Sequence, residues 1–427
     1  MKIVSSKDRG FTQAVEAVCH RAAQQNAKVE QSVRTILDAV RCEGDKAVQR
    51  FTWKFDRIRM RPDQLRVSLK DIQGAYKVLP ASDLKAIKYA ATRIRAFHRR
   101  KRRTTWMYRK HGVQLGQLIT PLDNVGVYVP GGKAIYPSSV LMNAIPANVA
   151  GVNRVVMCTP TPSGSIHPAI LVAADLAGID EIYRVGGVQA IGALAFGTAT
   201  IRPVDKIVGP GNLYVATAKR LVYGHVDIDM IAGPSELLVL ANSSSNPSHV
   251  AADLLCEAEH DEEARVYLVT TSLAFAKRVV KEVYRQLSRL GRQPIASQSV
   301  ETHAVAFVVR KLDEAFALVN RIAPEHLSLN LERAVHYLPR IRHAGAIFLG
   351  RYTPPAVADY VAGPNHVLPT GGSARFFSCL GVDEYMKASN VVAYSKAALR
   401  KAKGPVVRLA TLEGLDAHGQ SMESRWT

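Results

Sequence analysis

The feature that most constrains this chain is an alternation that begins near residue 125 and continues to about residue 349. Short runs of β-branched and aliphatic residues trade places with stretches of helical period. Val125–Val129, Arg154–Cys158, Glu181–Val185 and Lys206–Val208 form one set of runs, and Leu237–Leu240, Arg265–Thr270, Ala304–Val309 and Ala346–Leu349 a second. Between them, Pro168–Ala177, Leu213–Val222, His249–Glu259, Leu273–Arg289 and Leu312–Ile322 read as helices. Parallel strands must be joined by long crossovers, usually helical, so this rhythm predicts βαβ units and largely parallel sheets. The fold class is α/β: two tandem Rossmann-like, incomplete α/β units that meet near Gly233-Pro234. The first 120 or so residues read as mostly helical, with apolar spacing of three and four over Val29–Cys42 and Leu84–Phe97. Gly44-Asp45 marks a helix stop and restart, and the tail after Ser378 is mixed and helical.

Composition removes several classes. With 427 residues, 47% hydrophobic and 22% charged, the chain is neither disordered nor of low complexity. Its most apolar long stretch, Ala134 to Met157, is interrupted by Pro137, Pro146 and Asn153, so no membrane span is expected. Nor does Met1 to Val18 carry the apolar core of a signal peptide. Five scattered cysteines (Cys19, Cys42, Cys158, Cys256 and Cys379) without a CxxC argue for a reducing compartment, and a cytoplasmic location is expected. The net charge is +20, partly concentrated in nine basic residues between Arg93 and Lys110, with Trp106 and Tyr108 interleaved. Such a run reads either as a solvated helix end and loop or as a nucleic-acid patch, and no nucleic-acid-binding motif accompanies it.

Four stretches hold residue types capable of chemistry. No GxGxxG follows any strand. Instead the strand ends run into Val129-Pro130-Gly131-Gly132, Val185-Gly186-Gly187 and Val208-Gly209-Pro210-Gly211-Asn212, turns whose backbone N–H groups can approach a phosphate or ribose, or which need glycine for the turn alone. In Glu257-Ala258-Glu259-His260, Glu257 and His260 share a helix face at i, i+3, as metal ligands, as an acid/base pair or as a surface pair. Ala323-Pro324-Glu325-His326 puts a carboxylate beside an imidazole in a loop, a base with a water-activating partner or a helix cap. Asp359, His366, Glu413 and His418 add further oxygen and imidazole donors in turns and in the tail, a set suited to Zn²⁺ or a similar ion if it converges.

Taken together these stretches resemble the histidinol dehydrogenase family from about Val29 to the end. The resemblance is carried by Ile228-Asp229-Met230-Ile231-Ala232-Gly233-Pro234-Ser235-Glu236, with Tyr-Val-Pro-Gly-Gly at Tyr128, Gly-Pro-Gly-Asn at Asn212, Ala-Pro-Glu-His at Glu325 and Asn-His-Val-Leu-Pro-Thr at His366. It implies NAD contacts at Tyr128, Gln189 and Asn212, and a catalytic pair at Glu325 and His326. Glu257, His260, Asp359 and His418 match the zinc ligands, one ion per subunit. Ser235, Glu257, His260, His326, Asp359, His366, Glu413 and His418 match positions around the substrate. The implied reaction is the four-electron oxidation of L-histidinol through L-histidinaldehyde to L-histidine with two NAD, with His326 as a base of near-neutral pKa. The implied assembly is a homodimer in which one subunit's tail completes the other's site. The corresponding division is residues 1–27, a helical N-terminal arm; 28–127 with 235–380, an α/β domain carrying catalytic and metal residues; 128–234, an NAD-binding domain; and 381–427, a C-terminal dimerisation arm. Two positions depart from the family: Glu257 stands where Gln is usual, and Ala358 where Gly is usual, which matters if that position needs a positive φ. A relative that oxidises another alcohol, such as a sulfonated diol, with the same zinc and NAD machinery is the alternative enzyme reading.

Overall fold

The computed structural model describes residues 1–21, 27–131, 135–162 and 164–426. Residues 22–26 of the expected arm and Gly132 of the first glycine turn lie outside the described residues. The chain divides into two compact units, Met1–Lys101 with Leu122–Tyr385, and Arg102–Pro121 with the chain from Met386 onward.

The first unit holds two wholly parallel sheets. In the six-stranded sheet the order is Lys2–Ser5, Val305–Val308, Arg265–Thr270, Glu236–Ala241, His326–Asn330, Ala346–Leu349. In the five-stranded sheet it is Glu181–Tyr183, Arg154–Cys158, Asn124–Tyr128, Lys206–Val208, Asp227–Ile228. Both grow outward from their first long strand in one direction, then return to its other side. That reversal creates a topological switch point between Asn124–Tyr128 and Lys206–Val208, and another between Glu236–Ala241 and His326–Asn330.

Both faces of the six-stranded sheet are covered, which is why Glu236–Ala241, Arg265–Thr270 and Val305–Val308 read as nearly continuous apolar runs. Leu237, Val239 and Ala241 pack with Val250, Leu254 and Val279 on one side. Leu238 and Leu240 pack with Val15, Phe316 and Val319 on the other. In the five-stranded sheet, Val156 and Ile207 share a core with Val33, Leu37 and Val40 of the Ala27–Glu43 helix and with Ile191 and Leu194 of Gly187–Phe196.

Both expected sets of four strands are present, and Pro168–Ala177, Leu213–Val222 and Leu312–Ile322 are helices at the expected bounds. Three expectations change. The start of the chain is not purely helical: Lys2–Ser5 is an edge strand of the six-stranded sheet, its Ile3-Val4 core suited to a pleated edge. His326 does not sit in a loop but opens the His326–Asn330 strand, buried along its whole length. The basic run does not end as helix and loop: Trp106–Lys110 is an exposed strand with Trp106 and Tyr108 stacked on one face, 6.3 Å between ring centres.

In the second unit that strand pairs antiparallel with Val113–Pro121, which pairs antiparallel with Met386–Tyr394. The turn between the first two is His111-Gly112, both at positive φ, the backbone twist that a two-residue hairpin requires. Helices Lys396–Leu412 and Asp416–Glu423 complete this unit. No helix among the described residues is long and apolar enough to cross a membrane.

Candidate active site

The amino ends of the six-stranded sheet gather most of the reactive side chains. The Pro247–Ala258 helix is started by Pro247 and by the Asn246 side chain, which accepts from the Ser248 N–H at 2.9 Å. Its apolar face is buried on the sheet, so its last turn delivers Glu257 to the strand starts. Glu257 is 1% exposed at a helix C-terminus, where the dipole disfavours a negative charge. On the other side, the Leu312–Ile322 helix stops at Ala323, which takes φ 49, and at Pro324, which cannot continue it. The chain then enters the sheet through Glu325 and His326, both buried.

The imidazole of His326 is fixed on three sides. Its Nδ1 lies 3.1 Å from the Glu236 carbonyl, 3.3 Å from Glu257 Oε2 and 3.8 Å from Glu325 Oε2. The ring stacks on Phe348, 5.7 Å between centres. Because a carbonyl can only accept, Nδ1 is the protonated nitrogen. In the neutral ring Nε2 then carries the lone pair; it is buried and without a hydrogen-bond partner, 4.0 Å from Asp359 Oδ1. Glu325 Oε2 accepts the Glu236 N–H at 2.8 Å. His260 Nδ1 meets Glu257 Oε1 at 3.2 Å, and His366 Nδ1 donates to the Asp359 carbonyl at 2.9 Å.

Electrostatics follow from three acids enclosed with two imidazoles, which those acids favour as cations. Among the described residues no Lys or Arg pairs with Glu257, Glu325 or Asp359. Burial alone would raise Glu257, but the His326 charge and hydrogen bonds from His260 and His326 hold it well below the usual carboxylate range. Glu325 is pushed up to about 8, chiefly by burial. Asp359 is raised by burial, against the pull of His326. Burial would depress His326, yet Glu257 and Glu325 carry it up to about 10, well above the near-neutral base expected from sequence. Burial, helped by the neighbouring His326 and His260 charges, lowers His366 to about 4 against the hydrogen bond to the Asp359 carbonyl.

These residues fit a divalent cation. Glu257, Glu325 and His326 can each direct a ligand atom to within 4.8 Å of the others, and the His326 Nε2 lone pair is unused. His260 and Asp359 border the same group, so the donors are nitrogen and oxygen with excess negative charge, a set that suits Zn²⁺. Ser235 adjoins Glu236 at the same strand start, and its carbonyl accepts from Arg265 N at 2.9 Å. Glu413 and His418 belong to the second unit, where both are exposed, Glu413 at the C-cap of Lys396–Leu412 and His418 in Asp416–Glu423. Ala358 lies inside the Pro355–Tyr360 helix and is not among the residues at positive φ, so its departure from Gly costs no backbone strain. Cys256 is half-buried on the helix that carries Glu257, and burial pushes its thiol up to about 12, a poor nucleophile.

The carboxyl ends of the five-stranded sheet gather the glycine turns. Tyr128 ends the Asn124–Tyr128 strand, and its hydroxyl accepts the Gly187 N–H at 3.1 Å. Gln189 is 1% exposed with its Oε1 unpartnered. Asn212 caps the Leu213–Val222 helix, accepting from Tyr214 N and Val215 N, each at 3.1 Å. Gly209 must be glycine: φ is 111, and a Cβ would lie 2.1 Å from the Tyr128 carbonyl oxygen. Its N–H donates to Asp229 Oδ2 at 2.8 Å and its carbonyl accepts from Lys219 Nζ at 2.8 Å, while Lys219 and Asp229 form a buried ion pair. Glycine turns at the strand ends, a helix start and an orphaned buried amide oxygen form a cradle that fits a dinucleotide at the switch point.

Sequence reasoning missed two residues of this region, Glu236 and Arg21. Glu236 stood in the most specific motif without a role. Arg21 had no signal at all, and its buried, two-pronged pair with Glu236 (Nε–Oε1 2.5 Å, Nη2–Oε2 2.5 Å) is a tertiary fact.

Comparison with known proteins gives a consistent result. The family model described as histidinol dehydrogenase matches residues 19–426. The chain is 51% identical over 427 residues to the histidinol dehydrogenase of Geobacter metallireducens, covering 100% of this chain and 98% of that protein. It is 51% identical over 399 residues to that of Bacillus anthracis, covering 93% and 92%. The crystal structure of histidinol dehydrogenase from Elizabethkingia anophelis superposes with a TM-score of 0.94 at 37% identity, covering 100% of this chain and 98% of that one.

Proposed function

This chain belongs to the histidinol dehydrogenase family, and from that premise we propose that it oxidises L-histidinol through the aldehyde to L-histidine in two hydride transfers to NAD. The observation that carries this reading is the buried, partnerless Nε2 of His326, set among acids at the amino ends of the six-stranded sheet. Glu257, His260 and Asp359 would hold Zn²⁺, with His418 as a further ligand brought by the tail of a second subunit in a homodimer. When bound, the ion supplies a fixed positive charge for the substrate's imidazole and amine nitrogens. When bound at Tyr128, Gln189 and Asn212, NAD supplies the hydride acceptor for each oxidation.

The chain's own residues then divide the work. In the first oxidation His326 Nε2 takes the hydroxyl proton as the carbinol carbon gives up hydride. A cation held by Glu257 and Asp359 would offset part of the charge that lifts His326, and so favour the neutral ring that can act as a base. In the second step Glu325, steadied by the Glu236 N–H and ionised as pH rises through about 8, takes a proton from the water that adds to the aldehyde carbon. The hydrate then loses its second hydride with His326 again receiving the hydroxyl proton. Ser235 and His366 would line the polar end of the substrate, with Glu413 brought, like His418, by the tail of a second subunit. A cytoplasmic location agrees with five unbridged cysteines.

The test is turnover of L-histidinol with NAD by the purified protein, with metal content measured in parallel. Chelation should remove one zinc per chain and abolish turnover, and zinc should restore it. Full activity in metal-free protein would sink the metal assignment.

A further inference from the structure

The Glu236 peptide touches both members of the proposed catalytic pair. Its N–H donates to Glu325 Oε2 at 2.8 Å, and its C=O accepts from His326 Nδ1 at 3.1 Å. The first bond sets one carboxylate oxygen of Glu325. The second sets the tautomer of His326, and so which nitrogen is the base. Any rotation of this one residue disturbs both.

Glu236 is the first residue of its strand, the place where a strand would otherwise fray. What prevents this is its side chain. Both carboxylate oxygens are taken by the Arg21 fork, and Oε1 also accepts the Gly371 N–H at 3.1 Å. Arg21 is itself over-determined. Its Nη1 donates to the carbonyls of Val18 (2.9 Å) and Ile322 (3.0 Å), and its own carbonyl accepts from Arg265 Nη1 at 3.0 Å. The guanidinium thus joins the Glu236 strand start to Ile322, three residues before Glu325. Both side chains are 1% exposed. A buried ion pair is a poor source of stability, since well-packed apolar residues of like size are often as good or better. Its geometric precision is what an apolar pair cannot supply.

We propose that the Arg21–Glu236 pair is a positioning device for the catalytic pair: it holds the Glu236 peptide so that one N–H aims Glu325 and one C=O fixes the His326 tautomer. Neither residue touches substrate. This rests on the roles given above to Glu325 and His326, and the experiment separates the two.

The variants are Glu236→Gln, Arg21→Lys and the double replacement R21M/E236M, which leaves no unpaired charge. Each is compared with His326→Asn in the zinc-loaded protein. The expected result is a fall in kcat of roughly 10- to 100-fold, the usual cost of losing a group that orients a catalytic residue, with KM for histidinol and NAD little changed. Imidazole ¹⁵N signals should show His326 protonated at Nδ1 in the parent and as mixed tautomers in the double variant. Arg21→Lys keeps the charge without the fork and should fall between, so the readout survives if the double variant folds poorly. Folded variants with parental kcat and a parental tautomer overturn the proposal. So does a loss of kcat that only tracks the unfolded fraction. If His326→Asn itself retains full turnover, the reading of the catalytic pair fails first. If that variant is dead while the pair variants are unimpaired, the positioning role alone is wrong.

Discussion

The amino ends of the two parallel sheets make an instructive contrast. At the five-stranded sheet every buried charge there meets its opposite: Arg154 with Glu181, and Lys206 with Asp227 and Glu384. Among the described residues at the six-stranded sheet, only Glu236 has such a partner, while Glu257, Glu325 and Asp359 face two imidazoles and no Lys or Arg. The first pattern is what a fold needs when charges are buried. The second is destabilising unless something else brings positive charge, and that imbalance distinguishes a site from a scaffold. The carboxyl ends reverse the roles. There the five-stranded sheet offers its glycine turns at the switch point, as open α/β sheets commonly do. The six-stranded sheet has moved its chemistry to the opposite edge, because the helix after Glu236–Ala241 runs back and carries Glu257 with it.

The sharpest way to break this contrast is to remove the base. His326→Asn keeps a polar group of similar size at the strand start but takes away the Nε2 lone pair. Turnover should fall by roughly 10²–10⁴-fold, the usual contribution of a general base, with the thermal midpoint little changed. If steady-state kinetics showed near-parental kcat, the amino-end cluster would be scaffold after all.

A second prediction probes the paired end. Glu181 accepts from Arg154 at 3.0 and 3.1 Å, from Arg202 at 3.1 Å and from the Tyr183 hydroxyl at 2.8 Å. Burial works against its ionisation, but the hydrogen bonds from Arg154 and Tyr183 outweigh it and hold the carboxyl down to about 2. A depressed carboxyl stabilises the fold above its unfolded pKa, near 4.5, and that contribution is lost as pH falls toward about 2. Glu181→Gln should therefore cost about 3 kcal/mol at pH 7, toward the low end for breaking a buried pair because Arg154 keeps two carbonyl partners. The cost should shrink steadily below pH 4.5 while kcat stays at the parental value. Urea unfolding across that range checks it, and a pH-independent cost would contradict the assigned charge state.

Much of this was legible in the chain, and the misses have physical causes. Strands buried on both faces show themselves as apolar runs, which makes most of the eight readable, while the half-exposed edge strand Ala346–Leu349 is apolar all the same. His326–Asn330 is also buried on both faces, but it carries His, Ser and Asn at alternate positions, and the Ser328 hydroxyl is left without a partner. Polarity then suggests a loop where burial makes a strand. The Trp106–Lys110 hairpin was hidden because its turn uses His111 at positive φ, not the Asn or Asp that signals such turns. The i, i+3 spacing of Glu257 and His260 was visible, since helix geometry alone makes it. Arg21 was not, because its meaning lies in a carboxylate and a carbonyl more than two hundred residues away.

The smallest effect tests the carboxyl-end cradle. Asn212 has two separable duties: its side-chain oxygen caps the Leu213–Val222 helix, and under the proposed function its surface meets the dinucleotide. Asn212→Ala removes both. It should cost about 1 kcal/mol of stability, the usual worth of an N-cap, and raise KM for NAD several-fold while kcat at saturating NAD holds. Asn212→Asp keeps the cap, since a carboxylate accepts from the same N–H groups, but places negative charge beside the expected pyrophosphate. Stability should return to the parental value while KM for NAD rises further. Calorimetry and steady-state kinetics on the two variants decide the matter. If Asp restores both properties, Asn212 is a cap and nothing more, and the cradle must take its dinucleotide elsewhere.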